Sequence, residues 1–572
     1  MSSTNDSPKS LIQTLKQLGP GFLQSACTIG GGTLGACLFL GSFAGLSALW
    51  IQPFAMLLGV GVLLMITHVT LSTEKSPFGQ INQHVSPVLG WGWLIATVAA
   101  NMVWGLPQYN LGTDALTQMV VPGVLGKDGA LGGEGGTMGR VIATAVMAGC
   151  AVGIMLTQLR KGKGGRLFDR LIQLVVAGIV ICFGAVVIKL LSTGSLSIGS
   201  IAQGFIPSPS LFFEPASGYT EMLGQSVNVE FWSDRITTSQ RNTALAAISA
   251  AVGINMTFLM PYTLLARGWG KSQRGLARTD LFVGLLIPFI LVSGFVVSAA
   301  AATLHGKANV NQALIEWKFS DPGEANPSGL GPYRDNLVAF AKDNIEGWDK
   351  ETKAKDKTPE QVAQDNVLLD TIPESERLIA AATIKHGTAA LGATLESLFN
   401  GKTGVFIFGV GVFFIALSTV LVHMLINGYA LEVGFGIPRQ IGSLLPLVAV
   451  IGPFFWGELS AYLVIPTSMI GLMLLPVALW GFLLLGQQKK LGDAKFGPVM
   501  LVVGIFVTVV YTLLSAWAAY GKIGDWLTKT IDGISPKIGW VGPGLIAAVA
   551  VAALLTSPLV RGKKSESSDA AE

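Results

Sequence analysis

Residues 19–40 read GPGFLQSACTIGGGTLGACLFL, and the reading of this stretch decides the fold. It carries no Asp, Glu, Lys or Arg, and as a helix it is long enough to cross about 30 Å of hydrocarbon. Yet Gly30, Gly31 and Gly32 stand together near its middle. Each costs about 1 kcal/mol of helix propensity relative to alanine, and three in succession exceed what a small-residue packing face needs. Such a run predicts an unwound segment inside a membrane span. Its backbone groups are then freed for a ligand, and the following half-helix offers its N-terminal amides.

The surrounding chain has the composition of a membrane protein. Of its 572 residues 51% are hydrophobic and 13% charged, with a mean hydropathy of +0.57, whereas soluble domains carry roughly 25% charge. Apolar runs between charge clusters predict an all-α polytopic protein with about twelve spans: 19–40, 46–71, 89–107, 141–158, 171–191, 244–267, 280–302, 403–430, 440–456, 461–486, 496–518 and 540–560. The third is expected to end at Pro107 or to run on through Tyr109 toward Gln118. Basic residues gather in alternate loops, at Arg160, Lys161, Lys163, Arg166 and Arg170, then at Arg267, Lys271, Arg274 and Arg278. Lys489, Lys490 and Lys495 follow the tenth span, and Arg561, Lys563 and Lys564 the last. With twelve spans all four clusters fall on one side, which the positive-inside bias makes cytoplasmic, so both termini are expected inside the cell membrane.

The expected organisation is a tail (1–18), helices one to five as a first repeat (19–191), an outer loop (192–242), helices six and seven (243–302), a second outer loop with short helices (303–402), helices eight to ten (403–486), helices eleven and twelve (487–560) and a C-terminal tail (561–572). In the second loop, short amphipathic helices are expected around Pro359–Leu369 and Glu374–Ala382. All four cysteines, Cys27, Cys37, Cys150 and Cys182, lie in apolar stretches, which argues against a disulfide framework or a zinc site. No basic surface of the kind that binds nucleic acid is present. No nucleotide-binding motif or nucleophile constellation points to a pump or an enzyme, and no cofactor is expected.

Span six carries the companion feature, Asn255 to Thr263, with Pro261 within it. Proline lacks an amide donor and crowds the preceding turn, so a kink or break is expected just before it. Breaks in spans one and six are five spans apart, the relation expected of two inverted five-helix repeats around a central site. The residues expected at that site are Gly30, Gly31, Gly32, Thr33, Asn255, Thr257, Met260, Tyr262 and Thr263.

From Leu18, Gly19, Pro20, Gly21 and Phe22 through Met260 and Pro261, the chain resembles the Nramp divalent-metal transporters. These lie within the amino acid, polyamine and organocation superfamily that shares the leucine-transporter fold. The resemblance implies two inverted five-helix repeats plus two extra helices. It places the family's Asp-Pro-Gly-Asn metal motif on Gly30, Gly31, Gly32 and Thr33, so neither metal-binding side chain of that motif is present. The family's metal-binding methionine falls on Met260 and its histidine on Tyr262. The carbonyl position falls on Thr257, and a second histidine, tied to proton movement, falls on Arg267.

A bare divalent ion needs hard oxygen ligands to offset several kcal/mol of desolvation, and span one has no carboxylate. The neutral, amide-presenting nest of Ile29 to Gly35 suits an anion or carboxylate better. The sequence therefore leads to a secondary active transporter for a small anion or carboxylate-bearing solute, with H+ or Na+ as the candidate coupling ion. Divalent metal transport (manganese, iron or magnesium) through carbonyls and Met260 stands as the alternative, and a non-transporting sensor as a third reading. Proton or coupling candidates are His68, Arg267, His423 and Asn427, the last two on one helical face. Asp114, Glu432 and Glu458 read as surface residues. The lipid bilayer and one small ion or solute are the expected partners, for a monomer or homodimer.

Overall fold

In a computed structural model, the structure describes residues 18–159, 163–307, 312–322, 327, 329–349, 357–384, 402–455, 460–489, 491, 495–530, 548, 551, 552 and 555. Among these there are helices and no strands. Eight helices are long and apolar enough to span a membrane, and a ninth span is a pair bent by 55°. The principal helices are α1 (Pro20–Thr28), α2 (Gly31–Ala44), α3 (Ile51–Thr73), α4 (Pro87–Asp114), α5 (Thr137–Leu159) and α6 (Lys163–Ser192). They continue with α7 (Val229–Ala251), α8 (Ile254–Ala266), α9 (Ile287–Thr303), α10 (Thr403–Phe435), α11 (Ser460–Leu485) and α12 (Pro498–Thr530). The expected twelfth span, 540–560, and both tails lie almost wholly outside the described residues.

Burial grades inward toward the broken helices. The most apolar stretch of Val229–Ala266 is 89% buried and that of Leu46–Thr73 78%, against 28% for Pro498–Tyr520. The two halves of span one are enclosed on several sides: α7 and α9 pack on α2, α8 packs on α1, and α10 packs on α4 and α6.

Local chemistry sets the helix ends. Pro20 opens α1, and the amides of Gly19 and Gly21 donate to the buried Asp280 carboxylate at 3.0 and 2.7 Å. That negative charge stands at a helix N-terminus, where the macrodipole favours it. Ser86 caps α4 by accepting from the Val88 amide, and Asn228 caps α7 by accepting from the Phe231 amide. Gly436, with φ +68°, closes α10.

Several elements differ from the sequence reading. α4 does not end at Pro107 but continues to Asp114 and into a π-helical stretch, Ala115–Val120. α7 begins at Val229, inside the stretch read as outer loop, because the Asn228 cap starts the helix before the apolar run begins. Residues 440–456, expected as one span, form a succession of short helices, Arg439–Gly442, Leu445–Ile451 and Gly452–Phe455, interrupted near Pro446 and Gly452. Asp114, expected at the surface, is buried and pairs with Arg140 at 3.4 Å. Short helices occupy Leu330–Asn344, Pro359–Asp370 and Glu374–Ala382 in the long segment between α9 and α10. The last is anchored by the fully buried Glu376, which accepts from the Val227 amide and the Trp232 indole at the start of α7.

Candidate functional site

The helix of span one stops at Ile29–Gly30 and restarts at Gly31. That of span six stops elsewhere than expected: Val252 and Gly253 are extended, with φ/ψ of −140°/109° and −90°/167°, while Pro261 lies inside α8 without breaking it. The break falls where span one takes up a freed carbonyl. Thr28 Oγ1 donates to Ala251 O at 2.6 Å, with Ala250 O farther off at 3.2 Å, and Thr33 Oγ1 donates to Thr28 O at the end of α1. Each hydroxyl thus satisfies backbone that a helix end would otherwise leave orphaned. Pro261 removes a single amide in a fully buried helix, which neighbouring protein groups accommodate.

Between the two breaks lies a cavity of about 60 Å³. Four of the nine expected site residues line it: Gly30, Gly32, Thr33 and Asn255. Gly31 stands just behind, its amide donating to Gln108 Oε1 at 3.0 Å. The other four lie deeper in α8 and do not line the cavity. Thr257 accepts from the Trp93 indole at 2.9 Å, and Thr263 donates to carbonyls of its own helix. Tyr262 meets Ser76 at 3.0 Å and stacks on Phe258, and Met260 is fully buried. The methionine lining the cavity is Met256, one helical turn before Met260.

Of the coupling candidates, His423 lines the cavity, and its Nδ1 meets no hydrogen-bond partner among the described residues. Asn427, one turn along α10, accepts instead from Asn101 at 2.7 Å. His68 packs edge-on against Phe496, with ring centroids 5.4 Å apart. Arg267 pairs with Asp169 at 2.8 Å, beside Gly19 at the start of α1. Neither His68 nor Arg267 lines the cavity.

Sequence reasoning missed Thr28, Gln108, Ser249 and Thr419, all of which line it. Each is a polar residue within an apolar run, the one signal available before the helices are assembled. Thr419 explains why Gly30 is glycine, since a Cβ there would stand 2.6 Å from Thr419 Oγ1. A Cβ on Gly31 would meet Gln108 Oε1 at 2.7 Å.

Some of the polar backbone groups at the two breaks are already paired within the protein. The Gly31 amide is already taken by Gln108, and the Met256 amide by Asn255 Oδ1 at 2.8 Å. Both half-helix N-termini are therefore partly neutralised by protein acceptors. Ala250 lines the cavity, and its carbonyl, whose nearest hydroxyl is Thr28 Oγ1 at 3.2 Å, keeps lone-pair capacity. Among the described residues no Asp or Glu lines the cavity, and no three of His, Cys, Asp and Glu group as a metal site.

A bundle of membrane helices with two discontinuous spans meeting at a buried cavity defines a secondary transporter of the leucine-transporter type. A family model described as natural resistance-associated macrophage protein-like matches residues 21–316, over half of the chain. The chain belongs to the Nramp family.

Solved structures share the fold along nearly the whole length. A His→Ala variant of the Eremococcus coleocola manganese transporter is 14% identical, with a TM-score of 0.64 and 96% of each chain covered. A Glu→Gln variant of that transporter gives a TM-score of 0.65 at 14% identity over 97% of each chain. The same transporter in complex with an aromatic bis-isothiourea substituted compound gives 0.64 at 14%, covering 97% of this chain and 96% of that one. No curated protein sequence matches the chain.

Proposed function

We propose that the protein moves a metal cation across the membrane by alternating access, through the cavity between the breaks of spans one and six. One observation carries the choice of cation over anion: the amides of Gly31 and Met256 are already bonded to Gln108 and Asn255, while the carbonyl of the cavity-lining Ala250, whose nearest hydroxyl is 3.2 Å away, keeps acceptor capacity. The size of the cavity supports it. A space of about 60 Å³ takes an ion with a few waters, a water needing roughly 10–15 Å³ on this measure, and is well below the roughly 150 Å³ that accommodates benzene. The manganese transporters of like fold carry the same family of cargo. The anion or carboxylate reading rests on a free amide nest, and the first amide of the restarting half-helix, that of Gly31, is taken by a side-chain oxygen.

The basic clusters in alternate loops support cytoplasmic termini, and His423 in the cavity is the group best placed to couple H+ movement. Flux into proteoliposomes tests the proposal, with metal cations, bicarbonate, chloride and a small amino acid panel under imposed pH and sodium gradients. Metal flux that is lost in Gly31→Trp, with membrane insertion retained, is the expected outcome. Anion or amino acid flux without metal flux overturns it, as does substrate binding with no flux of any kind.

A further inference from the structure

The donors of this cavity differ in kind from those that hold manganese. Hard divalent ions are held by carboxylate and carbonyl oxygens, and no carboxylate lines the space. Instead Cys27, Met256 and His423 line it together. His423 is 1% exposed and lines the cavity, and its buried Nδ1 meets no hydrogen-bond partner among the described residues. A buried polar atom without a partner is rare in folded proteins and calls for a ligand or a water. The Trp104 ring, 6.5 Å from that of His423, stands beside it on the cavity wall.

Two arguments converge on charge and softness. Thioether and thiolate donors select soft cations such as Cu(I), and imidazole accommodates copper beside them. The desolvation cost of an ion rises with the square of its charge, so a doubly charged ion costs about four times as much to bury as a singly charged one of equal size. A cavity without a carboxylate offers little to offset the larger cost. Resting on the metal-cation reading above, we infer that the cargo is a soft monovalent cation of the Cu(I) type. Met256 and His423 are its principal donors, with Cys27 and the Ala250 carbonyl beside them.

The test uses the full chain with Cys150→Ser and Cys182→Ser, because Cys150 is exposed and Cys182 half-buried, and both thiols would bind soft ions on their own. Ag(I), a redox-stable probe of the same charge and softness, is titrated in chloride-free buffer, and bound silver is measured by equilibrium dialysis. One silver ion per chain is expected, not displaced by a large excess of Mn(II). Met256→Leu, which conserves volume, and His423→Gln should each weaken binding by about tenfold or more. If His423→Gln fails to fold, Met256→Leu decides alone. Silver affinity unchanged in Met256→Leu overturns the inference, as does ready displacement by Mn(II). Silver bound through Met256 without flux of any metal into liposomes would instead sink the transport reading while leaving this site intact.

Discussion

Span one breaks beside three consecutive glycines, whereas span six breaks at Val252–Gly253, well before the proline that marks its sequence. The two breaks share one feature that neither glycine nor proline supplies. In each, a backbone group released by unwinding is taken by a side chain from another span: the Gly31 amide by Gln108 of α4, and the Ala251 carbonyl by Thr28 of span one. A membrane helix opens where a partner can replace its lost hydrogen bonds, because hydrocarbon offers none. Local conformational preference makes opening cheaper, but the partner decides where it occurs.

Exchanging residues between the two regions gives the largest expected effect. Gly30→Leu places a branched side chain where even a Cβ would approach Thr419 Oγ1 to 2.6 Å. Metal flux into proteoliposomes should fall by about tenfold or more, equivalent to about 1.4 kcal/mol or more in the transport barrier. Pro261→Ala, in a helix that is already continuous, should leave flux within about twofold, well under 1 kcal/mol by the same conversion. Equal losses in both variants would show that the proline takes part in the break after all.

Thr28→Val examines the capping of span six without adding bulk. It removes a buried donor from the Ala251 carbonyl, and such a loss costs about 1–3 kcal/mol. A lowered midpoint of thermal unfolding for the detergent-solubilised protein is the expected readout. An unchanged midpoint would mean that the carbonyls find another partner and that the break does not depend on span one.

The smallest effect separates the two ends of span one. At the Pro20 end its amides are held by the Asp280 carboxylate. At the other end the Ser42 carbonyl accepts from His305 Nδ1 at 2.9 Å and from the Tyr219 hydroxyl at 3.2 Å. Burial holds His305 below its ordinary pKa of 6.5, against a smaller opposing effect of the Ser42 carbonyl. Folding therefore favours the neutral imidazole. The unfolded chain binds the extra proton first, so this contribution is complete above about pH 6.5 and is lost as the pH falls toward the depressed folded value. Unfolding midpoints measured from pH 7.5 downward should decline more steeply in the wild type than in His305→Gln. Parallel declines would place the acid sensitivity elsewhere.

Composition, hydropathy and the glycine run determined a polytopic helical protein with a discontinuous first span, because transfer of apolar residues into lipid and the cost of glycine in a helix are properties of local sequence. Gly30, Gly32 and Thr33 were legible as lining residues for that reason. The short motif around Pro261 points to Met260 and Tyr262, whereas the methionine that lines the cavity is Met256, one turn earlier. Gln108, Thr28 and Thr419 give no local signal beyond a polar residue in an apolar run, and their roles exist only once distant spans are brought together. Tertiary structure likewise changes how the site is read. An isolated glycine nest presents amides and suits an anion, but in the assembled protein Gln108 takes the Gly31 amide and Asn255 the Met256 amide, while Ala250, Met256 and His423 line the cavity, and the cation proposal rests on that arrangement. Sequence fixes which groups exist, and packing determines which of them remain unbonded.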